Sequence, residues 1–271
     1  MARNRVPARP LVALSAGLLL LTACGGSTGT TAAGPAASAA SARTGGPVVV
    51  ATTTWEAALA KAAGAEDVKV LVPATVKHAP DYELKPSDLT AVAGADFVLY
   101  ASFEPFAGRV KEAAGSKAEP VEVNLDERRA ATAAEVTKLG KVFGTEQAAA
   151  RWNSAFTAQY DTLAQQVKAA WGTGQAPVVV AQTFTTWAAE LAGLQPAGTY
   201  GPDAVTPAQL AELSAKKPQF VLENEAMSTG TVLPGSGAEQ LDIVNYPGQD
   251  LDLLAVYRNA ADQLVRAFSG S

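Results

Sequence analysis

Histidine and cysteine are almost missing from this chain: His78 and Cys24 are single occurrences in 271 residues. One cysteine excludes an internal disulfide, and one histidine excludes a zinc site of three histidines or of mixed histidine and cysteine. A Ser-His-Asp triad would have to use His78, and no serine stands in a G-x-S-x-G turn. G-x-x-x-x-G-K-[ST] and a helix-opening G-x-G-x-x-G are also missing, so phosphate cradles and dinucleotide sites lack their usual support. Positive charge is in the minority, 21 Lys and Arg against 26 Asp and Glu. That balance argues against nucleic acid or anionic lipid as a partner and favours a cationic ligand, or serves solubility alone.

Long apolar runs are equally scarce. The run from Leu11 to Leu21 follows Arg3, Arg5 and Arg9 and is too short for a spanning helix, so residues 1–23 read as a secretory signal. It ends in Leu-Thr-Ala-Cys, which resembles the lipobox of bacterial lipoproteins, and this implies lipid on Cys24 and an extracytoplasmic, membrane-anchored protein. After Cys24, residues 25–46 are Gly, Ser, Ala and Thr with one proline and one charge, a composition that cannot offset its chain entropy, so 24–46 reads as a flexible tether. Without the signal's three arginines, 18 basic face 26 acidic residues. About 225 residues then remain to fold, enough to bury some 70–75% of the unfolded chain's surface.

From Pro47 onward, short β-type runs alternate with helical ones. "PVVVA" (47–51), "DVKVLVP", "DFVLY" (96–100) and "EPVEVN" read as strands; "TWEAALAKAAGA" ending at Gly64, "PSDLTAVAGA" and "PFAGRVKEAAG" closed by Gly115 read as helices. The alternation predicts a mostly parallel sheet with helices on both faces over 47–125. Between 126 and 172 nothing resembles a strand. Trp152, Phe156, Tyr160, Leu163, Val167 and Trp171 fall on one stripe of a long helix, a stripe read as core. From 173 to 271 the alternation resumes with a near-repeat "PVVVA" (177–181), "TTWAAELAGL", "TPAQLAEL" with a capping-box start at Thr206, "PQFVLENE", "LDIVN" (241–245) and a closing amphipathic helix. The predicted fold class is α/β, two lobes joined by one long helix, with a cleft beyond the carboxyl ends of the strands.

His78 follows the second strand in "LVPATVKHAPDYELKPSDL", and the same stretch holds "YELKPSD" (82–88), then Ala95 and Asp96 opening the next strand. In that order these residues resemble the metal-type solute-binding proteins of ABC importers, the zinc and manganese receptor family; "TTWAAELAGL", "TPAQLAEL" and "FVLENE" are similar to its second lobe. The resemblance implies a receptor rather than an enzyme, with a divalent metal ion as transported ligand, an ABC permease with a separate ATPase as partner, no nucleic-acid partner and a monomeric state. It also implies a ligand set. His78 matches the family's first histidine, Glu122 (or, with a shifted alignment, Asn124) stands where a second is expected, Gln182 at the third position and Asn245 at the fourth. The family's histidine-rich loop is absent.

The acids near predicted strand ends supply further candidates. Glu104 follows "DFVLY", either as a ligand or as an acid complementing the helix beginning near Pro105. Glu223 and Glu225 share a face if their strand persists, while a turn would separate them. One imidazole with carboxylate and amide oxygens suits manganese or another hard divalent ion better than an all-histidine zinc site does. The same architecture also serves receptors for chelated metals or small organic solutes. For that reading Trp55 and Trp187, at corresponding points after the first strand of each lobe, either line the pocket or simply pack helix faces.

Overall fold

The computed structural model describes residues 46–76, 79–171, 174–228 and 230–270. Cys24, the signal and nearly all of the tether, and His78 itself lie outside the described residues.

Each lobe is built on a four-stranded, wholly parallel sheet. The first joins β1 (Val48–Ala51), β2 (Asp67–Val70), β3 (Phe97–Tyr100) and β4 (Glu119–Glu122) in the order β2-β1-β3-β4. The second joins β5 (Val179–Gln182), β6 (Gly198–Tyr200), β7 (Phe220–Asn224) and β8 (Glu239–Ile243) in the equivalent order β6-β5-β7-β8. The repeated "VVVA" runs therefore occupy the same interior place in the two sheets. β6 carries the Gly-Thr-Tyr sequence that shows no apolar run; it is held at the edge by register with Val180–Gln182. β8 begins two residues before the predicted "LDIVN", because Glu239 and Gln240 pair with Phe220 and Val221.

Helices α1 (Thr54–Ala62), α2 (Pro86–Gly94) and α3 (Ala107–Ala114) serve the first sheet; α6 (Thr186–Leu191) and α7 (Pro207–Ala215) serve the second. The motif residues build these junctions. Asp88 accepts hydrogen bonds from the Lys85 backbone N–H at 2.9 Å and from the Tyr82 hydroxyl at 2.9 Å. With Pro86 at the first helical position, "YELKPSD" is a helix-start device. Asp96 accepts from the Val48 amide at 3.0 Å, tying β3 to the start of β1. The capping box at Thr206 forms as its sequence predicts.

The linking segment is two helices, α4 (Arg129–Phe143) and α5 (Glu146–Ala170), followed at the chain's end by α8 (Leu253–Ser269). The break comes at Gly144, whose φ of 69° is left-handed and closes α4. α5 carries the aromatic stripe inward: Phe156, Tyr160 and Val167 are buried, and Trp152, Leu163 and Trp171 pack partly buried against them. One continuous apolar core then runs from Val49, Ala51 and Leu99 of the first sheet, through α1, α4, α5 and α8, to Val179, Phe220 and Leu222 of the second. Smaller cores under α2 and α3, and under α7, close the outer faces. At the centre Tyr257 of α8 is fully buried among Phe156, Tyr160 and Trp187. Its hydroxyl donates to the Glu127 carbonyl at 2.8 Å and lies 2.9 Å from the Thr132 hydroxyl. Among the described residues no helix is long and apolar enough to cross a membrane.

Candidate functional site

Parallel strands aim their carboxyl ends the same way, and the loops that leave them gather the polar groups. Here β1, β4, β5, β7 and β8 all release chain into a cleft of about 540 Å³ between the lobes. Trp55 follows β1, Asn124 to Arg128 follow β4, Thr183 to Trp187 follow β5, and Asn245 and Tyr246 follow β8. Phe103 and Pro80 complete the first lobe's wall; Pro202 and Met227 complete the second's. Two pockets of about 200 Å³ open beside it and share walls with it. A shallow concavity of about 550 Å³ between β8 and α8 holds none of the predicted residues.

The predicted ligands are distributed over this system. Glu225 and Asn245 line the first side pocket, together with Thr53, Thr54, Val76 and Ala79. Val76 and Ala79 are the described residues on either side of positions 77–78. Gln182 and Glu223 line the second side pocket with Tyr200 and Met227. Glu223 and Glu225 part company because β7 ends at Asn224 and a short 3-10 turn begins at Glu225. Glu104 is buried under the loop after β3, and Glu122 is exposed on β4, whose backbone carbonyl takes a bond from Lys138 at 2.5 Å. Asn124, the other junction candidate, faces the main cleft and accepts from the Asp126 amide at 3.0 Å.

Several of these side chains already have protein partners. Glu223 accepts from the Tyr200 hydroxyl at 3.0 Å and from the Asn224 amide at 2.7 Å, while burial pushes its carboxyl above the usual range. Gln182 Oε1 accepts from the Phe184 amide at 2.5 Å, and its amide nitrogen lies 3.8 Å from Met227 Sδ. Glu104 accepts from the Ala101 amide at 3.0 Å. Burial, and after it the neighbouring Glu56, pushes the Glu104 carboxyl up to about 8. Among the described residues no three histidine, cysteine, aspartate or glutamate side chains converge as a metal-holding group.

Four features of the site carry no sequence signal of their own. Glu127, in the acidic "LDERR" stretch, reaches inward to accept from the Asn245 amide at 3.2 Å, and burial pushes it up to about 8. Glu56, a capping-box acid that accepts from the Thr53 amide at 3.1 Å, is fully buried and raised by that burial. The buried Thr52 hydroxyl lies beside Glu56 and Glu104 without a hydrogen bond of good geometry. Tyr246 packs edge-on to Trp55, with ring centroids 6.5 Å apart, and burial followed by the nearby glutamates pushes its hydroxyl up to about 12. Asn245 Oδ1, Glu56 Oε1 and Trp187 Nε1 are buried with no hydrogen-bond partner among the described residues. Unpaired polar atoms are rare in buried positions and mark places where a ligand, ion or water completes the bonding.

Residues 48–141 match the sequence profile of the family described as zinc-uptake complex component A, periplasmic. The match covers the first lobe and α4, and the family's members are binding components of transport rather than enzymes. No curated protein sequence matches the chain. Solved structures share the fold over most of its length. A zinc-bound ZnuA variant lacking its residues 138–173 covers 83% of this chain and 99% of its own, at 16% identity and a TM-score of 0.63. The solute-binding protein FpvC of Pseudomonas aeruginosa, with manganese, covers 83% and 99% at 17% identity and a TM-score of 0.61. The laminin-binding protein Lmb of Streptococcus agalactiae, described as having adhesin and metal-transporting activity, covers 81% and 100% at 17% identity and a TM-score of 0.60.

Proposed function

We propose that this protein is the extracytoplasmic solute-binding component of an ABC importer, held to the membrane by lipid on Cys24, which captures a divalent metal cation, zinc or manganese, for a permease driven by a separate ATPase. The observation that carries this reading is the meeting of strand-end loops from both sheets at a cleft next to the loop that bears His78, in a chain whose first lobe matches a zinc-uptake family. His78, Glu225 and Asn245 form the core of the proposed ligand set, supported by the two oxygen-bearing residues lining one pocket with the His78 loop's flanks. Gln182 and Glu223, which line the second side pocket, and the buried Glu104 complete the set within the lobes; Glu122, exposed on β4, would join only from the rim.

Only a neutral imidazole has a lone pair for a metal, so proton and metal compete at His78 and affinity falls in mildly acidic medium. Calorimetric titration of the full chain with zinc and manganese chloride, with His78→Ala alongside, tests the assignment: the parent takes up one equivalent and the variant binds at least tenfold more weakly, roughly the loss of one first ligand. Equal binding by both removes His78 from the site.

A second reading, a receptor for an organic solute or a chelated metal, is favoured by the wall chemistry. Trp55, Phe103, Phe184, Trp187 and Tyr246 line the main cleft, and Phe103 stays 69% exposed.

A further inference from the structure

We propose that the main cleft is a binding site for an organic ammonium ion, a cation that carries N–H groups on a flat or apolar body, with the charge at Glu127 and Asn245 and the body among the aromatic rings. The proposal rests on the solute-receptor reading and assigns the cargo chemistry of its second form.

Size is the first argument. A bare divalent ion is satisfied within 2.0–2.6 Å of its ligands, whereas this cleft of about 540 Å³ falls in the range of organic ligands. Among the described residues, Asn245 and the junction alternative Asn124 are the predicted metal ligands that line it. The walls give the second argument. Exposed aromatic side chains are costly to leave in water, yet Phe103, Phe184 and Tyr246 are all among the exposed large apolar residues and all face this one concavity. Ring faces attract cations as well as apolar bodies.

Charge and hydrogen bonding fix the class. Arg128, the basic residue of the lining, is matched by Asp126, to which it is ion-paired. Among the described residues, Glu127 has the Asn245 amide as its bonded partner, not a cation. Donating that amide to Glu127 leaves Asn245 Oδ1 as a buried acceptor with no partner among the described residues. A carboxyl group and an orphan carbonyl side by side accept from an N–H donor, and positive charge on that donor favours the ionised form of the carboxyl. An ammonium or guanidinium group supplies two N–H bonds at once; a quaternary ammonium supplies none, and an alcohol lacks the charge.

The test titrates the full chain by calorimetry with benzylammonium chloride, benzyltrimethylammonium chloride, benzyl alcohol and, separately, zinc and manganese chloride. Benzylammonium binds saturably and at least about tenfold more tightly than benzyl alcohol and the quaternary ion, the worth of one charged hydrogen bond. Glu127→Gln weakens benzylammonium by a similar factor, and Phe103→Ala, at an exposed site that leaves the unfolding midpoint in place, weakens it several-fold. Absence of saturable benzylammonium binding, or equal binding by the parent and both variants, overturns the proposal. Metal binding without benzylammonium binding sinks this inference and leaves the receptor reading standing; benzylammonium binding without metal binding supports it and removes the metal cargo; binding of neither ends both.

Discussion

Glu104 and Glu127 hold their protons at neutral pH because their surroundings, largely apolar or already acidic, disfavour the charged form. Both are raised from an ordinary 4.5 to about 8, so the folded chain binds more protons than the unfolded chain between those values. The stability they lend is fully present below pH 4.5 and is lost as pH rises through about 8. Thermal unfolding is therefore expected at a midpoint roughly 5 °C or more lower at pH 8.5 than at pH 5, and Glu104→Gln, which keeps the size and removes the charge, flattens that slope. An unchanged slope in the variant contradicts the assignment. At this scale the sequence was least legible. Glu56 and Glu127 look like ordinary helix-start and loop acids, and nothing in the local sequence shows that Glu56 is fully buried or that Glu127 meets Asn245 of the opposite lobe. Glu223 and Glu225 show the converse, since two-residue spacing suggested a shared face and a 3-10 turn separated them.

The strand and helix runs were legible because each carries its own periodicity and punctuation. Helix α1 has its capping box at Thr53 and Glu56, α2 its Pro86 and Asp88, and α3 its closing Gly115. The motif that pointed to the family turns out to be largely fold-forming: Tyr82, Asp88 and Asp96 are spent on hydrogen bonds that start α2 and align β1 with β3. What periodicity missed is the break at Gly144, because the aromatic stripe begins only at Trp152 and says nothing of the turn before it. The α4–α5 hairpin turns on close approach. A Cβ at Gly140 would lie 2.5 Å from Ala149 Cβ, so Gly140→Ala is expected to cost about 1–3 kcal/mol, measured by denaturant unfolding, while leaving the far ends of both helices intact. Tyr257→Phe, which removes the bond to the Glu127 carbonyl and the contact with Thr132, is expected to cost about 1–2 kcal/mol. Neutral behaviour of both variants would show that this hairpin and α8 are not packed as described.

At the scale of the molecule, the two lobes are not free bodies. A single apolar core crosses from one sheet to the other through α5 and α8, and opening the cleft by a wide hinge would expose it. Ligand binding is expected to leave the radius of gyration, measured by X-ray scattering, unchanged within error, with rearrangement limited to strand-end loops; a clear compaction on loading contradicts a shared core. The two-lobe plan was readable because strand order follows from alternation and repeated apolar runs. Which groups meet across the cleft was not, because that depends on how loops of different lengths end opposite one another.

The central claim is that a divalent metal cation is captured where those loops meet, between the lobes. Calorimetric titration of the full chain with zinc and manganese tests it most directly, the parent being compared with Asn245→Ala, which alters a residue shared by the main cleft and the pocket beside the His78 loop. The account predicts one saturable site for at least one of these ions, weakened by the substitution. Absence of metal uptake by the parent, or uptake that the variant leaves untouched, would contradict it.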